Sequence, residues 1–156
     1  VKTTSTPVPK TTTPVRVTTA ITAVVQESGT PADTRQVYRL NQKFNYANVT
    51  YSCNLSRPPL YVRFTVTPDM VSHHRLIAAG MSIEQWVNTT DIDPQAWLDI
   101  SVIDTATGEV VEHQGFGKDF AAMTSQEFMV REPGSYRIVM SGNKVDADIR
   151  IFAGTG

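Results

Sequence analysis

The chain has 156 residues, of which 40% are hydrophobic and 19% are charged, and its formal net charge is −1. This size and composition are typical of one domain with its own hydrophobic core. The near-neutral charge argues against a nucleic-acid partner, no apolar run is long enough to span a membrane, and a single cysteine excludes an internal disulfide. Because the sequence begins with Val1 and otherwise reads as an exported chain, we expect that a signal peptide precedes it and is removed.

Residues 1–14 form a tail that is rich in threonine and proline and contains no acidic or aromatic residue. Such a segment cannot bury enough apolar surface to offset its conformational entropy. Threonine with proline is the composition of extended spacers and glycosylated stalks. The sequence therefore predicts an extended, solvated N-terminal arm.

The segment 15–27 alternates between two faces, with β-branched residues on both. This period of two predicts a β-strand, whose apolar face consists of Val15, Val17, Ile21 and Val25. Two interpretations stay open. The segment is either the first strand of a domain that spans residues 15–156, or a strand donated to the sheet of a neighbouring copy through those four side chains.

Further strands are predicted at residues 36–46, 49–55 and 60–67 from the same alternation. In the first of them we expect Tyr38, Leu40, Phe44 and Tyr46 to share one side. In the second we expect an inward face that includes Cys53, as a small buried hydrophobe.

Residues 69–95 are less regular. We expect a short strand near 75–78, a helical turn from Ile83 because Ser82 and Gln85 resemble a capping box, and a loop from Asn88 to Pro94.

The second half of the sequence alternates most clearly. Gly108 suits the left-handed position of a hairpin turn, and Gly142 with Asn143 predicts another turn. We predict a core that draws on one face of several strands and includes Leu60, Val62, Phe64, Leu98, Ile100, Tyr136, Ile138 and Ile149. Eight or nine short strands with hairpin connections predict an all-β fold, an antiparallel β-sandwich of jelly-roll type.

The stretches WLDISVIDTATGEVVEHQGFGKDF, from Trp97, and FMVREPGSYRIVMSGNKV, from Phe128, carry a resemblance to a known group. A strand, a turn ending in Thr-Gly-Glu, a GFG loop, a G-x-Y-x-I strand and a GN turn follow one another, as in secreted and lipid-anchored surface proteins of methanogenic archaea. The last 60 or so residues resemble that group, whose members often carry a Thr/Pro spacer. The resemblance implies a cell-surface location and a β-sandwich, and it implies no particular activity. A weaker similarity links the late G-x-Y strand to jelly-roll modules of secreted peptidases.

Three Asn-X-Ser/Thr sequons begin at Asn48, Asn54 and Asn88. Asn48 and Asn54 share the outward parity of their strand, so we predict glycosylation of at least one sequon.

Other candidate residues point to chemistry only weakly. His73 and His74 would lie on opposite faces of a strand and could not chelate one metal together, and nothing in the spacing requires His113 to join them, so no metal or other cofactor is predicted. Asp91 and Asp93 are a candidate calcium pair in a loop. Trp86 and Trp97 are candidates for a sugar-binding face.

No catalytic motif is present, so the sequence predicts a non-enzyme. We expect either a structural subunit that polymerises with copies of itself in an extracellular filament or surface layer, or a surface-anchored carbohydrate-binding or adhesion module. The location of residues 15–25 distinguishes them.

Overall fold

The computed structural model describes residues 31–78 and 84–155. The predictions for the tail 1–14 and for the strand 15–27, with Val15, Val17, Ile21 and Val25, lie outside the described residues. Within them the chain contains strands and connecting turns without a helix, and every strand pair is antiparallel. The predicted all-β, sandwich-like class is confirmed.

Eight strands follow one another along the chain. They are β1 (Thr34–Leu55), β2 (Leu60–Pro68), β3 (Met70–Ala78), β4 (Glu84–Ile92), β5 (Trp97–Asp104), β6 (Val110–Phe116), β7 (Ser125–Val130) and β8 (Gly134–Gly154). Strands β3 and β4 form a two-stranded sheet of their own, and the other six share one sheet.

The six-stranded sheet is organised by a long ribbon of β1 and β8. Strand β8 pairs with β1 along its whole length on one edge. On its other edge it pairs first with β5, over residues 136–143, and then with β2, over residues 145–153. Strand β6 extends the sheet beyond β5, and β7 extends it beyond β2. One ribbon therefore runs through two four-stranded halves.

The ribbon bends near its middle, and this bend turns one sheet into two layers. The pairing register shifts on both sides of Asn45, and Tyr46 and Lys144 adopt positive φ values of 50° and 51°. Such bulges bend a strand and increase its twist. Gly142 lies at the bend because a Cβ atom there would come within 2.9 Å of the Trp97 carbonyl oxygen. The first layer contains β5, β6 and the adjoining halves of the ribbon; the second layer contains β2, β7 and the remaining halves.

A single hydrophobic core lies between the two layers. All eight predicted core residues belong to it, and each has a relative exposure of 2% or less. They come from both layers: Leu98, Ile100, Tyr136 and Ile138 from the first, and Leu60, Val62, Phe64 and Ile149 from the second. The period-two prediction of the core is confirmed.

The two long sides of the sandwich are closed differently. On one side the edges of β6 and β7 approach each other, and Gln126 Nε2 donates to the Gly115 carbonyl oxygen at 3.5 Å. On the other side the rings of Tyr38 and Tyr51, from opposite halves of β1, stack with their centroids 4.3 Å apart. Burial raises the pKa of both tyrosines, as desolvation of a phenolate requires.

Several local predictions are wrong. Residues 36–46 and 49–55 form one continuous strand, and Tyr46 is 75% exposed because the bulge turns it away from Phe44. The Gly142–Asn143 turn is a bend within β8, since bulges and tight turns use the same residue types. Strand β4 replaces the helical turn expected from Ile83, whose first residues are not described. It also replaces residues 88–92 of the loop expected from Asn88 to Pro94.

Candidate functional site

The β3–β4 hairpin is the feature that departs most from the compact sandwich, and we refer to it as the arm. Its strands pair from Met70 opposite Ile92 to Ala78 opposite Glu84 without a register shift. At about 3.4 Å per residue the two nine-residue strands reach about 30 Å. Among the described residues, each arm strand is hydrogen-bonded only to the other arm strand. The arm is therefore a projecting two-stranded ribbon.

Backbone hydrogen bonds and ion pairs hold the base of the arm. The Asp69 amide donates to the Lys144 carbonyl oxygen at 2.8 Å, and the Asp93 amide donates to the Asp69 carbonyl oxygen at 2.9 Å. Lys43 Nζ lies 2.7 Å from Asp69 Oδ1, and Lys144 Nζ lies 2.6 Å from Asp93 Oδ2. Because Lys43 and Lys144 come from the two ribbon strands at their bend, the arm is anchored to the most bent part of the sandwich.

Asp93 is the buried member of this base. The hydrogen bond from Lys144 and the bond from the Gln95 amide, at 2.8 Å to Oδ1, hold the pKa of the Asp93 carboxyl below its usual range. The bond to Asp93 likewise raises the pKa of Lys144, and the bond to Asp69 raises that of Lys43. Each ionised group is stabilised by its partner.

Asn143 supports the same turn. Its Nδ2 donates to the Gln95 carbonyl oxygen at 3.0 Å, while its Oδ1 is buried without a partner among the described residues. The base is thus a fixed structure built from residues far apart in the sequence.

Beyond its base the arm exposes apolar side chains. Leu76 and Trp86 stand directly opposite each other and therefore share one face, with exposures of 43% and 64%. Met70 and Ile92 are paired on the same face nearer the base and are also exposed. The ring of His74 meets Trp86 edge-on, with 6.1 Å between centroids.

Isolated two-stranded ribbons are marginally stable in water. The Leu76–Trp86 and Met70–Ile92 pairs are separated on this face by the polar pairs Ser72–Thr90 and His74–Asn88, so the face carries two small apolar contacts with polar residues between them. The arm face of Met70, Leu76, Trp86 and Ile92 has the character of a surface that binds a partner. This face is the candidate functional site.

The sequence did not single out this face as a unit. It marked Trp86 as a sugar-face candidate but assigned part of the surrounding stretch to a helical turn and a loop. The signal that was present is the content of β-branched residues in β4, with Val87, Thr89, Thr90 and Ile92. Trp97, the other tryptophan, is half-buried in β5, where Lys118 Nζ lies 4.9 Å from its ring centroid.

The predicted sequons lie at the surface. Asn48 and Asn54 are exposed on β1, as their parity predicted, although Thr50 between them is only 9% exposed. Asn88 is exposed on β4, opposite His74, within a strand. The carboxamide of each asparagine is thus open to modification in the folded domain.

The candidate calcium pair is not arranged as a site. Asp91 is exposed on the arm opposite Val71, whereas the Asp93 carboxylate is taken up by Lys144 and Gln95. His73 and His74 are exposed on the arm. Among residues 31–78 and 84–155, no three His, Cys, Asp or Glu side chains converge as metal ligands would.

A Ser-His-Asp combination occurs on the outer face of the first layer. His113 Nε2 lies 3.0 Å from both Asp99 carboxylate oxygens, and Ser101 Oγ donates to Asp99 Oδ1 at 3.2 Å. Serine catalysis needs histidine between the serine and the carboxylate. Here the carboxylate lies between the other two, so the cluster is not arranged as a catalytic triad.

Cys53 is half-buried on β1, with Tyr136 as its cross-strand neighbour on β8. Burial raises the pKa of its thiol to about 11, so little nucleophilic thiolate forms near neutral pH.

No known protein family, curated protein or solved structure matches this chain. In the described part of the chain, no helix long and apolar enough to cross a membrane is present.

Proposed function

We propose that this chain is a non-enzymatic structural subunit of an extracellular assembly at the cell surface, a filament or a surface layer, built from copies of itself. The observation that supports this proposal is the arm, with its anchored base and its exposed apolar face. An exposed aromatic side chain next to aliphatic ones is the usual composition of an interface anchor. The arm places such an anchor well away from the sandwich, where it can reach a neighbouring subunit.

The anchored base matters to this role. An arm that swung freely would lose conformational entropy on docking, and that loss would weaken the contact. The two ion pairs and the backbone bonds at Asp69 and Asp93 fix the direction of the arm in advance. The net charge of −1 also leaves little electrostatic repulsion between copies.

The remaining parts of the proposal concern the surface. We propose that at least one of Asn48, Asn54 and Asn88 carries a glycan in the native protein, because all three are exposed sequons. We also propose that Val15, Val17, Ile21 and Val25 contribute to a contact between subunits.

The assembly is tested with a double variant of the arm, Leu76→Ser with Trp86→Ser. Sedimentation velocity and negative-stain electron microscopy should show large assemblies for the full-length protein and mainly monomer for the variant. The matched control is Met123→Ser, which removes an exposed apolar side chain outside the arm and should assemble normally. A wild-type protein that stays monomeric at high concentration would contradict the proposal.

A second function is favoured by the surroundings of Trp86. An exposed indole beside His74 and near the polar Asn88 resembles a platform on which a sugar ring can stack. A surface-anchored carbohydrate-binding or adhesion module would show saturable binding on a glycan array, with quenching of Trp86 fluorescence. Loss of glycan binding in Trp86→Ser, combined with a monomeric wild type, would favour this function over assembly.

A further inference from the structure

Strand β1 has one long edge that no described strand covers. It spans Thr34–Leu55, and β8 is its only partner among the described residues. The other edge of β1 presents a row of main-chain donors and acceptors, which is a template for another strand. A long edge strand is a liability unless something protects or occupies it.

The edge of β6, on the opposite side of the sheet, is protected against the addition of a strand. On β6, Glu112 and Gln114 stand opposite the buried Val102 and Ile100, so polar side chains lie on the core-facing side of that edge. Inward-facing polar and charged residues oppose the addition of a strand. The β6 and β7 edges also lie next to each other there. That side of the sandwich is therefore a poor acceptor.

The second half of β1 has the opposite character. The core-facing positions between its last register shift and its end are apolar: Ala47, Val49, Tyr51, Cys53 and Leu55. Val49, Tyr51 and Cys53 are only half-buried, although their cross-strand partners Met140, Ile138 and Tyr136 are fully buried. An added strand would complete the burial of Val49 and Cys53. Tyr51 is already covered on this side by the stacked ring of Tyr38, which would have to move aside for the added strand.

Charge distinguishes the two halves of β1 as acceptors. The first half carries Arg35, Arg39 and Lys43, and the first 26 residues of the chain carry only cations. The second half, Ala47–Leu55, carries no charged residue. Arg16 is the only charged residue of the segment 15–25. It would meet like charges beside the first half, where Arg39 and Lys43 are already paired with Asp148 and Asp69, and none beside the second.

We propose that Ala47–Leu55 of one copy accepts residues 15–25 of a second copy as an added antiparallel strand. This inference rests on the proposed assembly and assigns its acceptor surface. The donor face of Val15, Val17, Ile21 and Val25 lies over the half-buried side chains of β1. Thr18 and Thr22 on the other donor face stand among Thr50, Ser52 and the two sequon asparagines, and such hydroxyl-rich cross-strand pairs are favourable.

The direction of the added strand shows whether it comes from a second copy or from the same chain. Because the ribbon folds back at its bend, Thr34 and Leu55 lie at the same end of the sandwich. Residues 28–33 are too short to reverse the chain along the second half of β1. The chain's own segment would therefore run parallel to Ala47–Leu55 and place Val25 near Cys53, whereas a donated antiparallel segment places Val15 or Val17 there.

Cys53 is a native probe for this contact. In full-length protein carrying Cys53→Ser, single variants Val15→Cys, Val17→Cys, Ile21→Cys and Val25→Cys are each mixed with wild type. The mixture is oxidised with copper phenanthroline at alkaline pH, because burial raises the pKa of Cys53 to about 11. Inner-face neighbours on adjacent strands are close enough for a disulfide. We expect a disulfide-linked heterodimer, strongest for the Val15 or Val17 variant and at least tenfold weaker for the outward controls Thr18→Cys and Thr22→Cys.

The outcomes separate this inference from the proposed assembly. In variants that keep Cys53, a monomer with an internal disulfide, strongest for Val25→Cys, overturns donation and shows that the chain covers its own edge. Absence of any cross-link while wild type assembles and the arm variant does not would overturn this acceptor and leave the assembly standing. Absence of both cross-link and assembly would overturn the two proposals together.

Discussion

Two antiparallel ribbons in this molecule differ in whether they bury their apolar side chains. The β1–β8 ribbon contains three register shifts and bends back over itself, so that its inner face lies in the core. The β3–β4 ribbon pairs without a shift, and its apolar side chains stay exposed. Hydrogen bonding between strands is similar in both, so it does not explain the difference. What differs is whether the ribbon can bring its own inner face against another layer, and bulges provide that ability.

The largest difference is expected when one large side chain is shortened next to the β1–β8 ribbon and another is shortened on the arm. Phe64 is fully buried beside the β1–β8 ribbon, and Phe64→Ala should lower the free energy of unfolding by about 3–5 kcal/mol, because it leaves a cavity. Leu76→Ala, on the arm, should change it by less than about 0.5 kcal/mol. Urea unfolding followed by circular dichroism measures both, and similar losses for the two variants would mean that the arm packs into the core.

A smaller effect is expected at the bend itself. In Gly142→Ala the new Cβ would lie 2.9 Å from the Trp97 carbonyl oxygen and 3.0 Å from Phe44 Cβ, so the bend must shift, at a cost of about 1–3 kcal/mol. Gly108→Ala is the control, because Gly108 has open space around it and only its φ of +77° is unfavourable. Its cost should be about 1 kcal/mol. Thermal unfolding ranks the two, and the opposite ranking would show that the bend is not tightly packed.

The smallest effect is expected at the base of the arm, and it depends on pH. The folded pKa of Asp93 lies below its ordinary value of 3.8, so its contribution is present above pH 3.8 and is lost as the pH falls through the lowered pKa. Lys144 has a pKa raised above 10.5, so its contribution is fully present below pH 10.5 and is lost as the pH rises through the raised pKa. Hydrogen exchange should show the Asp69 and Asp93 amides protected between these limits and less protected in acid.

Asp93→Asn should remove most of this acid dependence at the two amides. Asp148→Asn is a useful control. Burial tends to raise the pKa of Asp148, but bonds from Arg150 and Arg39 outweigh that effect and lower it. Acid should therefore weaken that cluster as well, at a site on the outer face of the ribbon, without changing protection at Asp69. An unchanged acid response at Asp69 in Asp93→Asn would indicate that another group controls the arm base.

The core could be predicted from the sequence because alternation reports burial directly. Phe64 and Ile149 sit in strands whose opposite faces are polar, and a strand with one buried face must alternate. The arm could not be predicted in the same way. Both of its faces are exposed, so no burial imposes a period, and Leu76 follows His73, His74 and Arg75 in a stretch without regular alternation.

The base of the arm could not be predicted from the sequence either. Asp93 and Lys144 are 51 residues apart, and each is an ordinary surface residue in its local sequence. Gly142 with Asn143 has the composition of a turn, and whether such a pair reverses a strand or bends it depends on the partner strand. Here β1 continues past the bend, so β8 continues with it.

The sequence by itself determined the strand class, the inner face of most strands and the exposure of Asn48 and Asn54, because each of these follows from local alternation between buried and exposed positions. Tertiary structure alone decided that two predicted strands are one bent strand and that residues 70–92 project as an arm. It also decided that, among the described residues, β1 pairs along one edge only. These features depend on which strands meet, and that choice is made by contacts between residues far apart in the chain, which leave no periodic signal in either partner.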